Sequence, residues 1–556
     1  MLRSAPALTL ALFLGPIVAG LAGTALPAFG YLPALGGHAP SLDPFVRLFE
    51  QPGLGRGVAL TLLSGFAATL LSLAVAAGFC AAAYGTRSFA RAQSFLAPLL
   101  ATPHAALAIG FAFLVAPSGW IARLISPEIS GWARPPDLAS VNDPWGLALV
   151  AGLALKETPY LLLCLTAALG RSDVGRAVTL ARTLGYGPFM AWAKIGLPRL
   201  YPSIRLPVYA VLAFGLSNVE LALILGPTNP PTLAVTIVRW AADPHLDLFF
   251  PAAAAALLQL ALVLGAIGAW RAGEIVLARA AARWRIAGAR GRSPSPWAGL
   301  ARGALAINFA VAAAALLVLA LWSLAAAWRF PDDLPSAWTL ANWTREGPRL
   351  AAPAGTTLAL AALATLLAMA LAVACLENES RRGVDGRRAL WALYVPLLVP
   401  QVAFLIGAQA LLVALGADGA FAALVWAHLI FVLPYVFLAL AEPWRDFDPR
   451  YARAAACLGA GPTRVFFAIK LPMLLRPLLA AAAIGFAVST ALYLPTLFAG
   501  AGRWTTLTTE AVALASGGDR RVLAVYAFAQ AALPLLVYGA ALALPAWLHR
   551  NRRGMR

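Results

Sequence analysis

Twelve stretches of this chain are apolar over roughly 20 residues each, long enough to cross the ~30 Å hydrocarbon layer of a bilayer. They lie near residues 5–28, 57–84, 93–116, 146–169, 204–226 and 248–270, and then near 302–327, 353–375, 390–415, 420–441, 475–498 and 523–547. With 61% hydrophobic and 12% charged residues and a mean hydropathy of +0.79, the 556 residues cannot clothe a soluble globule in charge. The solvent is lipid, which leaves helices as the form in which these segments satisfy their own backbone. The expected fold class is all-α and polytopic, with about twelve transmembrane helices. The first stretch follows Arg3 and carries small residues from Ala22 to Ala28, as a signal peptide does, and is expected to remain as an uncleaved anchor.

Orientation follows from the basic residues. Most of the 42 Lys and Arg fall in the segments that lie inside if the amino terminus is cytoplasmic, so both termini are expected there. Juxtamembrane Arg87, Arg91, Arg381, Arg382, Arg387, Arg388, Arg550, Arg552 and Arg553 account for the net charge of +19 through anionic headgroups rather than nucleic acid. Cys80, Cys164, Cys375 and Cys457 show neither a close pair nor metal-ligand spacing and read as apolar filler, so no metal site is expected.

The chain repeats itself. Thr61-Leu62 and Thr69-Leu70-Leu71 return as Thr357-Leu358 and Thr365-Leu366-Leu367, and Pro103 with Ile109-Gly110 returns as Pro400 with Ile406-Gly407. Further on, Pro159-Tyr160 matches Pro434-Tyr435, and Thr232-Leu233 matches Thr506-Leu507, the change of offset reflecting a longer first-half segment at 117–145. Two halves of six spans that both begin on the same side form a parallel repeat about an axis along the membrane normal. The expected division is residues 1–270, a basic linker over 271–300 containing the Ser-Pro-Ser-Pro run that ends at Pro296, and residues 301–556.

The most specific repeated element is polar. Gly185, Ile195, Leu197 and Pro198 recur with identical spacing as Gly459, Ile469, Leu471 and Pro472, in loops near 171–199 and 446–476. In the second loop, Tyr451 to Leu458 reads as a short helix that starts at Asp448-Pro449 and stops at Gly459; the first loop follows the same plan up to Gly185.

These loops resemble the signature of the inner-membrane permeases of binding-protein-dependent ABC importers: Glu-Ala-Ala, three residues, Gly, nine residues, Ile, one residue, Leu-Pro. The Gly, Ile, Leu and Pro positions match in both loops; the Ala positions match as Ala454 and Ala455, but only as Ala181 in the first loop, where Leu180 takes the other place. The glutamate is replaced by Thr179 and Arg453. The resemblance implies a type I importer permease fused from two copies in a bacterial inner membrane. It also implies coupling helices docked on two copies of a separate ATPase, and a periplasmic binding protein on the outer face. ATP and Mg would sit on that partner, because this chain has no Gly-x-x-x-x-Gly-Lys-Ser/Thr phosphate loop and is expected not to be an enzyme. Among known double permeases it looks most like those for thiamine, with ferric iron and polyamines next; the alternative is a secondary transporter of the major facilitator type.

Ionisable residues inside spans are costly and mark candidate pathways, which singles out Lys156, Glu157, Glu220 with neighbouring Asn218, and His428. Each also has a packing reading: an ion pair for Lys156 and Glu157, a satisfied core ring for His428. Gln259 and Gln530 read as interhelical hydrogen bonds.

Overall fold

The computed structural model describes residues 2–170, 172–291, 296–383 and 386–548. Arg292, Ser293 to Ser295, Asp385, Arg550, Arg552 and Arg553 lie outside the described residues, as do the side chains of Arg387 and Arg388. The first half comprises α1 (Ala5–Ala28), α2 (Leu54–Ala83), α3 (Arg87–Ala101), α4 (His104–Val115), α5 (Leu147–Gly170), α6 (Val174–Thr183), α7 (Leu197–Ser217), α8 (Glu220–Leu225), α9 (Leu233–Ala241) and α10 (Phe249–Ile286). The second half repeats the order in α11 (Pro296–Leu324), α12 (Ala341–Arg382), α13 (Gln401–Ala414), α14 (Phe421–Arg445), α15 (Pro449–Cys457), α16 (Leu475–Ala491), α17 (Leu494–Gly500), α18 (Leu507–Leu514) and α19 (Arg520–Leu548). Among the described residues, ten helices are long and apolar enough to cross a membrane, and two bent pairs raise the number to twelve. Among the described residues, one two-stranded ribbon, Ala325–Ala327 against Ala337–Trp338, interrupts the helices.

Several expected spans are broken, and Pro explains two of the breaks. Pro103 follows α3 and Pro400 precedes α13, where each disfavours helical backbone at the preceding residue; the chain turns by 87° between Trp391–Leu398 and Gln401–Ala414. The expected linker needs correction. Ala and Arg favour helix, so α10 continues past residue 270 to Ile286, supported by Arg271 and Arg205 on Glu274. Irregular backbone begins only at residue 287, and α11 resumes at Pro296.

The repeated sequences touch one another. Thr61 Oγ1 donates to the Gly57 carbonyl at 2.8 Å and accepts from the Leu233 N–H at 3.0 Å; Thr357 Oγ1 donates to Pro353 at 2.7 Å and accepts from Leu507 at 3.0 Å. The same hydroxyl thus pins α9 to α2 and α18 to α12.

The halves exchange their first helices. Helix α1 lies along α13 and α11 lies along α4, each against the opposite half. Small residues permit the approach: a Cβ on Gly23 would fall 2.7 Å from the Gly407 carbonyl, and the Gly407 N–H donates to Thr24 Oγ1 at 2.9 Å. Gly110 on α4 abuts the Ala315 carbonyl of α11 in the related position. At the end away from the α6 and α15 hairpins, Arg123 stacks on Trp322 and Trp328 and donates to the Arg329 carbonyl at 2.6 Å, joining the halves again.

Gly407→Val is expected to lower the thermal unfolding midpoint of the detergent-solubilised protein by the equivalent of about 1–3 kcal/mol, as overpacking does. Gly15→Ala, which meets open space on the facing helix α1, leaves it within about 0.5 kcal/mol; equal midpoints for the two would refute the close approach.

Candidate functional site

Two matching hairpins project from one end of the bundle. Helices α6 and α15 both end in the same hydrogen-bonded stop: Gly185 N–H to Arg182 and Tyr186 N–H to Ala181, then Gly459 N–H to Ala456 and Ala460 N–H to Ala455, all at 3.0–3.1 Å. This stop needs left-handed backbone, and φ is +87° at Gly185 and +81° at Gly459. Short turns at Pro188–Ala191 and Pro462–Val465 follow, and each leads into one wide π turn, Trp192–Gly196 and Phe466–Lys470. Pro198 and Pro472 come next; neither has an N–H to give to the preceding turn, and the ladder widens there. The motif spacing therefore measures the distance from a helix stop to a π-to-α restart. Ile195, Ile469, Leu197 and Leu471 are half-buried along this path; Pro198 is half-buried and Pro472 exposed.

The outer faces of the hairpins carry apolar knobs within a basic rim. Leu180 is 62% exposed, Leu184 59% and Leu458 88%, whereas Ala181 and Ala455 turn inward. Around the knobs stand exposed Arg176 and Arg182 on α6, and Arg450, Arg453 and Ala454 on α15. Thr179 is exposed and returns its hydroxyl to the Gly175 carbonyl at 3.0 Å. An open depression of about 570 Å³ lies between α6 and Tyr84. Asp448 caps α15 by accepting from the Arg450 N–H, which together with the Arg450 guanidinium holds this carboxyl below the usual range.

Each hairpin is anchored by a buried lysine, and the two anchors differ. Lys194 donates to the carbonyls of Ala287 (2.6 Å) and Ala289 (2.8 Å) beneath the Trp284 ring, and the Gly187 N–H meets the Arg290 carbonyl at 2.9 Å. The inter-half connection thus clasps the first hairpin. Lys470 donates to Glu377 at 2.8 Å and to Ser380 at 3.1 Å, with its ammonium 4.6 Å from the Trp444 ring centre. Glu377 also binds Arg381, while Glu379 takes a bidentate bond from Arg445. Sequence reasoning missed Lys470, Glu377, Glu379 and Arg445; the helical spacing of Glu377 and Arg381 was the available signal.

The intramembrane candidates separate. Lys156 points at the broken end of α3, where its ammonium binds the carbonyls of Leu99 (3.0 Å), Leu100 (3.1 Å) and Thr102. It caps a helix end. Glu157 faces His104 at 3.9 Å rather than forming the expected pair with Lys156. His428 is 1% exposed, with Ser489 and Thr496 on its two nitrogens at 2.9 Å each, and belongs to the core. Asn218 Oδ1 accepts from the Leu221 N–H at 2.7 Å, capping α8 at the break after α7. Glu220, next in line, stays half-buried, and its Oε2 finds no hydrogen-bond partner among the described residues. Gln259 donates to the Leu216 carbonyl at that same break. Gln530 donates to Thr508, and Thr508 in turn to the Thr490 carbonyl, in the second half.

No family model matches the chain. It is 32% identical over 522 residues to the inner membrane ABC transporter permease protein YnjC of Escherichia coli K12, covering 93% of both chains. Partial likenesses join it to the spermidine/putrescine transport system permease protein PotC of Haemophilus influenzae, 28% identical over 130 residues, 23% of this chain and 49% of that one. The putrescine transport system permease protein PotI of E. coli K12 is 30% identical over 135 residues, 23% of this chain and 47% of that one.

Replacing Lys470 by Met leaves Glu377 buried with Arg381 alone and is expected to cost about 3 kcal/mol of local protection, read as faster amide exchange over residues 446–476. Exchange over 171–199 should not change; uniform exchange in both hairpins would show that the lysine does not anchor the second.

Proposed function

The chain belongs to the inner-membrane permeases of ABC transporters, and from that premise we propose that it forms the whole solute pathway of an importer, each half docking one copy of a separate ATPase. The observation that carries this reading is the pair of hairpins with one architecture, each ending at a left-handed glycine and presenting leucine outward. An apolar knob of this size, once buried, is worth about 1.5–3 kcal/mol. With Thr179 and Arg453 at the glutamate positions, the contact is apolar at the centre and basic at its edge. The partner groove is then expected to be lined with Asp or Glu. ATP and Mg belong to that ATPase, whose closure moves the hairpins and with them α5, α7, α14 and α16.

In this reading the hairpins and both termini face the cytoplasm of a bacterial cell, and a loaded binding protein meets the opposite face. The full-length permease relative weighs against the facilitator alternative. For the solute, the partial likeness to polyamine permeases supports a small organic cation, and polyamines move ahead of thiamine and ferric iron, which none of the three relatives names.

Leu180→Asp and Leu458→Asp should each weaken ATPase binding at least about tenfold. Together they should abolish ATP hydrolysis stimulated by loaded binding protein in proteoliposomes. The mass of the purified complex should correspond to one permease chain with two ATPases. Solute uptake driven by a proton gradient, with no ATPase added and no effect of either substitution, would defeat the reading.

A further inference from the structure

Glu220 departs from the repeat. Helices α8 and α17 begin in the same way after the breaks that follow α7 and α16, with Val219 and Tyr493 as the residues before the first turn. At the first helical position the first half has Glu220 and the second half Leu494. The break therefore forms without an acid, and the carboxylate is not required by the fold. A carboxylate inside a membrane protein is costly when unpaired. Nevertheless Glu220 Oε2 is buried without a hydrogen-bond partner among the described residues, while the Tyr493 backbone N–H of the other half reaches the carboxylate. The two breaks thus meet where the halves face each other, and one oxygen of the acid is left without a partner there.

A second station lies along the same junction. Pro159-Tyr160 and Pro434-Tyr435, the repeated pair, bring one tyrosine from each half within electrostatic range of Glu157, and both rings are half-buried. Glu157 also departs from the repeat, since Val432 holds its position in the second half. Tyrosine rings near a carboxylate suit an organic cation, which gains from ring quadrupole and charge alike. A bare metal ion is less well served: among the described residues no three His, Cys, Asp or Glu side chains gather.

We propose that the space between the halves binds an organic ammonium cation during translocation, with Glu220 as the specificity-determining carboxylate and Glu157, Tyr160 and Tyr435 as a second resting place. This rests on the importer reading with its cationic solute and adds to it the residues that hold the cargo.

The test is uptake of putrescine, spermidine and thiamine into proteoliposomes containing the full chain, its ATPase and its binding protein, with ATP hydrolysis measured in the same vesicles. In wild type at least one of these cations is taken up in an ATP-dependent way. Glu220→Gln is expected to lower the number of cations imported per ATP hydrolysed by roughly tenfold, the loss of one charge-assisted contact, and Glu220→Asp to restore most of it. A purely packing role would lower uptake and hydrolysis in parallel and treat Gln better than Asp. An unchanged ratio in Glu220→Gln overturns the proposal. So does a wild type whose hydrolysis is stimulated by binding protein but which imports only anionic or neutral solutes, and that result leaves the importer reading intact. No ATP-dependent uptake or stimulation of any kind would remove both.

Discussion

Every interruption of a helix in hydrocarbon must be answered by a side chain, because no water is present to receive the freed backbone groups. Much of the polar chemistry of this chain meets that demand. Lys156 takes up three carbonyls where α3 ends, Asn218 caps α8, and Gln259 reaches the Leu216 carbonyl. In the second half the distance is spanned in two steps, Gln530 to Thr508 and Thr508 to Thr490. Buried polar residues therefore cluster at the broken helices, and once these obligations are subtracted the carboxylate of Glu220 stands out.

The same demand explains why the two halves are alike in plan and different in detail. Thr61 and Thr357 make the same pair of bonds, and Gly185 and Gly459 end their helices in the same way. The supports behind the hairpins have diverged. The first is held by main-chain carbonyls of the segment that joins the halves, the second by a cluster of buried charges on α12 and α14. The brace of the first hairpin comes from the residues that directly follow α10, Ala287 and Ala289, whereas the second hairpin is braced by helices earlier in its own half.

Much of this was legible in the sequence. Helix α1 coincides with the apolar run 5–28, and among the repeated positions Thr61 and Thr357 later bond while Gly185 and Gly459 later turn. Helix continuation through 271–286 was misjudged because arginine density was taken as a sign of linker, although Arg and Ala sustain helix well. The acceptors of Lys156, carbonyls 54 to 57 residues away, have no signature in side-chain identity. The pairings of α1 with α13 and of Lys470 with Glu377 join segments distant in sequence, and periodicity reports only which face is apolar, not which helix will cover it.

The exchange of first helices bears on how the chain is made. Thr24 is bonded to a residue 383 positions later, and synthesis proceeds at roughly 5–20 residues per second. The first helix to enter the bilayer therefore spends on the order of a minute or less without its proper neighbour, its Gly20 and Gly23 face turned to lipid or to whatever helix is nearby. Until α13 arrives α1 has α10 of its own half but not the glycine-lined face of Gly407 to pack against. A chain truncated after residue 290 would hold every helix of its own half and still leave bare the side of its first helix that carries Gly20 and Gly23.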